Sequence, residues 1–126
     1  MSGRPTARQR TGRVGESIAL AYAQRRGWTI LETNVRTPSG EIDLVVRDGN
    51  ELVFVEVRTR RTDAFGTGPE SLTLRKRVRM AACAYEYLVS RGHEPDATPW
   101  RVDLIAIVLT PGQVADVEHL PHVLTE

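Results

Sequence analysis

GEIDLVVRDGNELVFVEVRT, residues 40–59, reads as two β-strands around a tight turn. Glu41 to Arg47 and Glu51 to Thr59 are rich in β-branched and aromatic residues, and Asp48-Gly49-Asn50 between them is a turn signal. Strand side chains alternate faces, so Glu41, Asp43 and Val45 share one face, and Phe54, Glu56 and Arg58 share one face of the next strand. A two-residue Gly49-Asn50 hairpin turn pairs Asp48 with Glu51 and sets Asp43 opposite Glu56. Their Cβ atoms would then lie about 4.5–5.5 Å apart. A three-residue loop would slip the register by one and send Glu56 to the wrong face, so the carboxylate pair depends on the turn.

Working outward, Gly12 to Arg26 has a helical pattern, with Val14, Ile18 and Tyr22 four apart and Gly27 as a stop. Trp28 to Val35 reads as a strand, and Arg36 to Gly40 as a turn cluster. Residues 60–72 form a polar loop with Gly66, Gly68 and Pro69. A second helix, capped by Thr73, runs to Arg91; Leu74, Val78, Ala81, Ala82, Tyr85, Leu88 and Val89 predict its buried face. Arg101 to Leu109 is a mostly apolar strand of the kind buried inside a sheet, and Val114 to His119 a weak last one. The order αβββαββ is that of an α/β layer fold.

With 126 residues, 40% hydrophobic and 26% charged, the chain fits a single domain: a flexible basic arm over residues 1–11, then one folded unit over 12–126. The single cysteine, Cys83, excludes an internal disulfide framework and a cysteine-based zinc cluster, and fits a reducing compartment. No apolar run approaches a membrane span, and none follows the basic N-terminus as a secretory signal requires. A soluble, cytoplasmic protein is expected. The net charge of +1 hides an uneven distribution. Arg4, Arg8, Arg10 and Arg13 precede any acid; Arg58, Arg60, Arg61, Arg75, Lys76, Arg77 and Arg79 outnumber Asp63 and Glu70; residues 93–126 are acidic. Such segments either attract phosphate or are solvated surface charge.

Two carboxylates at about 5 Å repel by roughly 3 kcal/mol at an effective dielectric near 20. A stable protein protonates one, pairs both with cations, or binds a metal. Glu16 is placed on the first helix so that it can point toward a packed interface. Three hard oxygen donors suit Mg²⁺ or Mn²⁺, which would lower the pKa of an attacking water in phosphodiester hydrolysis. The competing reading makes Glu16 and Glu56 salt-bridge partners of nearby arginines. Glu41 is a candidate supporting acid. Asp103, an acid in an apolar strand, requires a hydrogen-bond partner. His119 and His122 lack a third metal ligand and are read as incidental, Cys83 as inert packing, and Trp28 and Trp100 as core or rim residues.

The stretches GRVGESIALAYAQRRGWTILETNVR, GEIDLVV, LVFVEVRTR and GTGPESLTLRKRVR, in this order, resemble the UPF0102 (YraN-like) family. That family is similar to archaeal Holliday-junction resolvases and the wider PD-(D/E)XK nuclease superfamily. The likeness spans about Gly12 to Leu109. It implies a restriction-endonuclease-like αβββαβ core, with a mixed sheet flanked by helices, and a metal-dependent DNA endonuclease. Asp43 falls at the superfamily's first acidic position, Glu56 at the second and Glu16 at the helix-one acid, with the Val57 carbonyl as a further metal donor. Arg58 stands where the pattern has lysine; arginine stays charged and cannot act as a base. Lys76 is the one lysine in the chain to substitute for it. Arg13, Arg60, Arg75, Lys76, Arg77 and Arg79 are the expected nucleic-acid contacts. The resemblance also raises the expectation of a homodimer. The alternative function is a non-catalytic nucleic-acid-binding or regulatory protein on the same fold.

Overall fold

The computed structural model describes residues 3–63 and 72–124. The elements are α1 (Ala7–Arg25), β1 (Thr29–Thr37), β2 (Gly40–Asp48), β3 (Glu51–Arg61), α2 (Leu74–Ser90), β4 (Trp100–Leu109) and β5 (Asp116–Leu120). The αβββαββ order read from the sequence is the observed one. The strands form one sheet in the order β1-β2-β3-β4-β5, with β3 and β4 parallel and the other neighbours antiparallel. It is the mixed sheet flanked by helices that the nuclease-like core requires. Gly66, Gly68 and Pro69 of the expected polar loop lie outside the described residues.

The β2–β3 turn holds Gly49 at φ +63°, which glycine adopts without steric penalty. It fixes the expected register, from Asp48 opposite Glu51 to Leu44 opposite Val55. Leu44, Val46, Val53, Val55, Ile105 and Ile107 face one layer, completed by Ala19 and Ala23 of α1. Val45, Leu52, Phe54 and Val102 face the other, with Met80, Cys83, Ala84, Tyr87 and Leu88 of α2. Burial on both sides explains why β2, β3 and β4 read as continuous apolar runs.

Three sequence expectations are corrected. The arm over residues 1–11 is helical from Ala7 onward. Thr6 Oγ1 accepts the Gln9 N–H at 3.1 Å and Gln9 Oε1 accepts the Thr6 N–H at 2.8 Å, a capping box that starts the helix before its apolar periodicity does. Next, α1 meets the sheet through Gly15, Ala19 and Ala23, while Val14 is exposed. A side chain at Gly15 would collide with Thr59 of β3, so the helix must approach through its small residues. Finally, the expected buried face of α2 is largely an outer face. Leu74, Val78, Tyr85 and Val89 are 76%, 61%, 48% and 57% exposed. Polar anchors turn the helix. Tyr87 Oη donates to Glu32 Oε2 at 2.5 Å, Arg91 Nη2 donates to Glu32 Oε1 at 2.7 Å, and Ser39 Oγ donates to Glu86 Oε2 at 2.6 Å. With these made, Met80, Cys83, Ala84, Tyr87 and Leu88 face the sheet.

Candidate active site

β3 keeps its parallel pairing with β4 as far as Arg61, but its pairing with β2 ends at Leu44 and Val55. Beyond that point the side chain of Asp43 takes over: its Oδ2 accepts the Val57 N–H at 2.7 Å. The Glu56 carboxyl lies within hydrogen-bonding reach of Asp43, although the β2–β3 ladder stops one residue short of pairing the two. Burial pushes the Asp43 carboxyl up to about 7; the Val57 N–H opposes that shift, and the charges of Glu56 and Glu16 add to it. Of the three ways to relieve two close carboxylates, the protein by itself uses the first two. Asp43 holds its proton up to about pH 7, and Glu56 Oε2 has Arg79 Nη2 at 3.3 Å and Arg58 Nη2 at 4.0 Å.

Glu16, half-buried on α1, is close enough for its charge to act on Asp43. Yet among the described residues no three His, Cys, Asp or Glu side chains form a ready-made metal cage. Asp43 is turned to Val57 and Glu56 to Arg79, which leaves the three acids as neighbours rather than a converged set. The donor chemistry nonetheless fits a hard divalent ion: two neighbouring carboxylates, one with its pKa raised chiefly by burial and further by the charge beside it, next to the backbone of Val57.

Arg58 follows Val57 on β3, with 22% of its side chain exposed. From α2, Arg79 reaches Glu56, a partnership its place among the expected nucleic-acid contacts did not suggest; it lies one helical turn after Lys76. Arg75 is exposed, and Lys76 and Arg77 are half-buried. Arg13 is exposed on α1 and Arg60 half-buried on β3. Arg61 is bound to Asp63 at 2.8 Å and shares a shallow cleft with Arg10, Thr11, Val14 and Leu109. Glu41 is exposed opposite Arg36 of β1.

At the far end of the sheet lies a polar cluster that the sequence reading only half anticipated. Asp103 is fully buried and accepts from Arg101 Nε at 3.0 Å and the His122 N–H at 3.1 Å. His119 Nε2 sits 2.7 Å from Asp103 Oδ2, and its Nδ1 lies 2.9 Å from Tyr22 Oη. Arg101 also reaches Glu51 at 2.7 Å and Asp48 at 3.1 Å, at both ends of the hairpin turn. Burial works against the Arg101 charge, but hydrogen bonds to Asp103, Glu51 and Asp48 outweigh it and raise its pKa above the ordinary arginine value. The structural role expected for Asp103 is what the structure shows. His119 is a member of the same network rather than incidental.

Comparison with known proteins now decides the lineage. Residues 15–107 match the model of uncharacterised protein family UPF0102. The chain belongs to the UPF0102 family. It is 46% identical over 116 residues to a UPF0102 protein of Chloroflexus aurantiacus, covering 92% of this chain and 93% of that one. A UPF0102 protein of Roseiflexus castenholzii is 43% identical over 128 residues, covering 100% and 99%. One of Moorella thermoacetica is 46% identical over 102 residues, covering 81% and 83%. UPF0102 membership thus rests on nearly the whole fold, the fork between β2 and β3 included. Among the described residues no helix is long and apolar enough to cross a membrane.

Proposed function

We propose that this UPF0102 protein is a metal-dependent nuclease that hydrolyses phosphodiester bonds in DNA, branched DNA included. The observation that carries the reading is the Asp43–Glu56 pair, held where β2 and β3 part, with the Asp43 carboxyl buried against Val57 and the Glu56 carboxyl faced by two arginines. Two close carboxylates add no stability of their own, so a functional use accounts for the pair better than a structural one. Asp43, Glu56, the Val57 carbonyl and Glu16 would hold Mg²⁺ or Mn²⁺, which supplies a nucleophilic water and offsets developing charge on phosphate. Asp43 would give up its proton and swing from Val57. Arg58 and Arg79 would then turn from Glu56 to phosphate oxygens, which guanidinium binds in bidentate fashion. Such an enzyme would act in the cytoplasm, and a homodimer would let two copies engage two strands.

The second reading, a non-catalytic nucleic-acid-binding protein, is favoured by Arg58 in the lysine position. Cleavage assays on linear, nicked, flapped and four-way DNA, with Mg²⁺ or Mn²⁺, separate the two. Any metal-dependent product that Asp43→Ala abolishes supports the nuclease; no product from any substrate removes it. Arg58→Lys is expected to raise cleavage about tenfold, equal to ~1.4 kcal/mol of barrier, with Mn²⁺ affinity by calorimetry nearly unchanged. A wild type that cleaves well and is unaffected by Arg58→Lys would make arginine an adequate substitute.

Both readings require the protein to hold phosphate. Charge reversal of Arg75, Arg77 and Arg79 is expected to weaken DNA binding and flatten its salt dependence, by about one unit of slope for each phosphate no longer neutralised. Fluorescence anisotropy across a salt series measures this; an unchanged slope would make the patch solvated surface.

A further inference from the structure

The buried contacts of α1 begin at Gly15, and the two turns before it hold Arg8, Arg10 and Arg13 exposed to solvent, with no acid in the first turn. Arginines at this end of a helix oppose its dipole, and the capping box already fixes the start through Thr6 and Gln9, so helix stability does not account for them. Arg10 Nη1 donates to the Pro5 carbonyl at 2.7 Å, while no acid pairs with Arg8 or Arg13 among the described residues. α2 repeats the anomaly. Its first turn holds Arg75, Lys76 and Arg77 without an acid, and Thr73 Oγ1 already accepts the Lys76 N–H at 3.2 Å. Arg77 has its Nε buried with no hydrogen-bond partner among the described residues. A buried donor left open marks the place of an acceptor that the chain itself does not supply.

Both basic helix starts lie at the same end of the sheet. Gly15 abuts Thr59 of β3, and Arg10 and Thr11 share their cleft with Arg61 and Leu109, the last residues of β3 and β4. On α2, Arg79 reaches Glu56 of β3 and lies against Gly40, the first residue of β2. With β2 antiparallel and β4 parallel to β3, these positions fall together. The helices pack on opposite faces, so the two cationic ends flank the sheet layer that carries Asp43 and Glu56. Packed layers lie about 10 Å apart, which sets the two helices roughly 20 Å from each other across the sheet.

That spacing and charge select the ligand. A duplex carries phosphates on both sides of a major groove about 12 Å wide, so one cationic end can rest on each backbone. It is stiff over this distance, whereas a flexible single strand would lose freedom to span both ends. A lipid surface is a poor match, because Ala7 to Val14 present no apolar face to insert.

We propose that the first two turns of α1 are a second DNA-holding jaw: Arg8, Arg10 and Arg13 take one backbone of a duplex, and Arg75 and Arg77 of α2 take the other. The proposal rests on the phosphate-holding surface of the preceding reading and makes duplex DNA, rather than single strands, the substrate class.

Fluorescence anisotropy of the full chain in metal-free buffer, with a short labelled duplex and its separated strand across a salt series, tests it without cleavage. The wild type is expected to prefer the duplex. Arg8→Gln with Arg13→Gln should weaken duplex binding about tenfold and flatten its salt slope by about two units, one for each phosphate no longer neutralised, with a smaller effect on the single strand. Arg75→Gln with Arg77→Gln should also lose the duplex preference. Thermal melting of the α1 variant should match or exceed wild type, since cations leave the positive end of a helix. An unchanged duplex affinity and slope in the α1 variant would overturn the jaw, even if the protein cleaves DNA. So would a wild type that binds the single strand as tightly as the duplex, or a variant whose only loss is adhesion to anionic phosphatidylglycerol vesicles. Jaw-dependent duplex binding with no cleavage in Mg²⁺ or Mn²⁺ would uphold the jaw and remove the nuclease instead.

Discussion

Asp103→Ala is expected to lower stability by about 3–5 kcal/mol, the range for removing one partner of a buried ionic cluster. Asp103 is wholly buried, and its loss would leave Arg101, His119 and the His122 N–H without their shared acceptor. For a domain of this size each kcal/mol moves the melting temperature by roughly 3–5 °C, so a fall of the order of 10 °C or more is expected. Asp103→Asn keeps the shape and one acceptor, and should lose less. Glu51→Gln, at the more exposed rim of the same cluster, should lose about 1 kcal/mol or less. Urea and thermal unfolding check the series. An Asp103→Ala protein within about 1 kcal/mol of wild type would mean that the cluster contributes little net stability.

Asp43→Asn is expected to act in opposite directions on stability and activity. In the folded protein burial and the neighbouring acids raise the Asp43 pKa to about 7, far above the value it would have when unfolded. The unfolded chain therefore releases this proton at lower pH than the folded one, and the contribution of Asp43 to stability falls as pH rises from about 4 to about 7. Below that window the contribution is at its best; above it the loss is complete. The slope is at most about 1.4 kcal/mol per pH unit. Asparagine is neutral at every pH, accepts the Val57 N–H through its carbonyl and donates to Glu56 through its amide. In metal-free buffer the variant should match wild type near pH 4 and exceed it by a few kcal/mol at pH 8, with about 4 kcal/mol as the ceiling. If the nuclease proposal holds, cleavage should fall by about a thousandfold or more, since an oxygen donor and a charge are both lost. A stability difference independent of pH would show that Asp43 is ionised in the folded protein.

The hairpin was legible because one observation, the Gly49-Asn50 turn, fixes every pairing beyond it, and a period-two pattern then settles which side chains meet. That reading brought Asp43 to Glu56 across thirteen residues of sequence. The start of α1 was legible too, in Thr6 and Gln9 three residues apart, but an apolar rhythm begins only later and drew attention away from the cap. The face of α2 was not legible. The helix carries two apolar stripes, and periodicity alone gives no reason to prefer Met80, Cys83 and Tyr87 over Leu74, Val78 and Tyr85. What decides is Glu32, fifty-five residues before Tyr87, together with Glu86 and its contact at Ser39. His119 escaped for a similar reason: its partners Tyr22 and Asp103 come from α1 and β4, and no local spacing links them.

The single parallel joint among the described strands also sets the order of assembly. β1, β2 and β3 are joined by short turns and can zip together from local contacts. β4 finds its place beside β3 only after the chain has run through α2 and back, a detour of roughly forty residues whose closure entropy comes before any ladder bond forms. The meander is thus the natural nucleus, and β4 with β5 the late arrivals. Asp103, His119 and Arg101 come together in that last step. Substitutions among them should quicken unfolding and leave the folding rate almost untouched, which makes this cluster the latch that governs how long the native state persists.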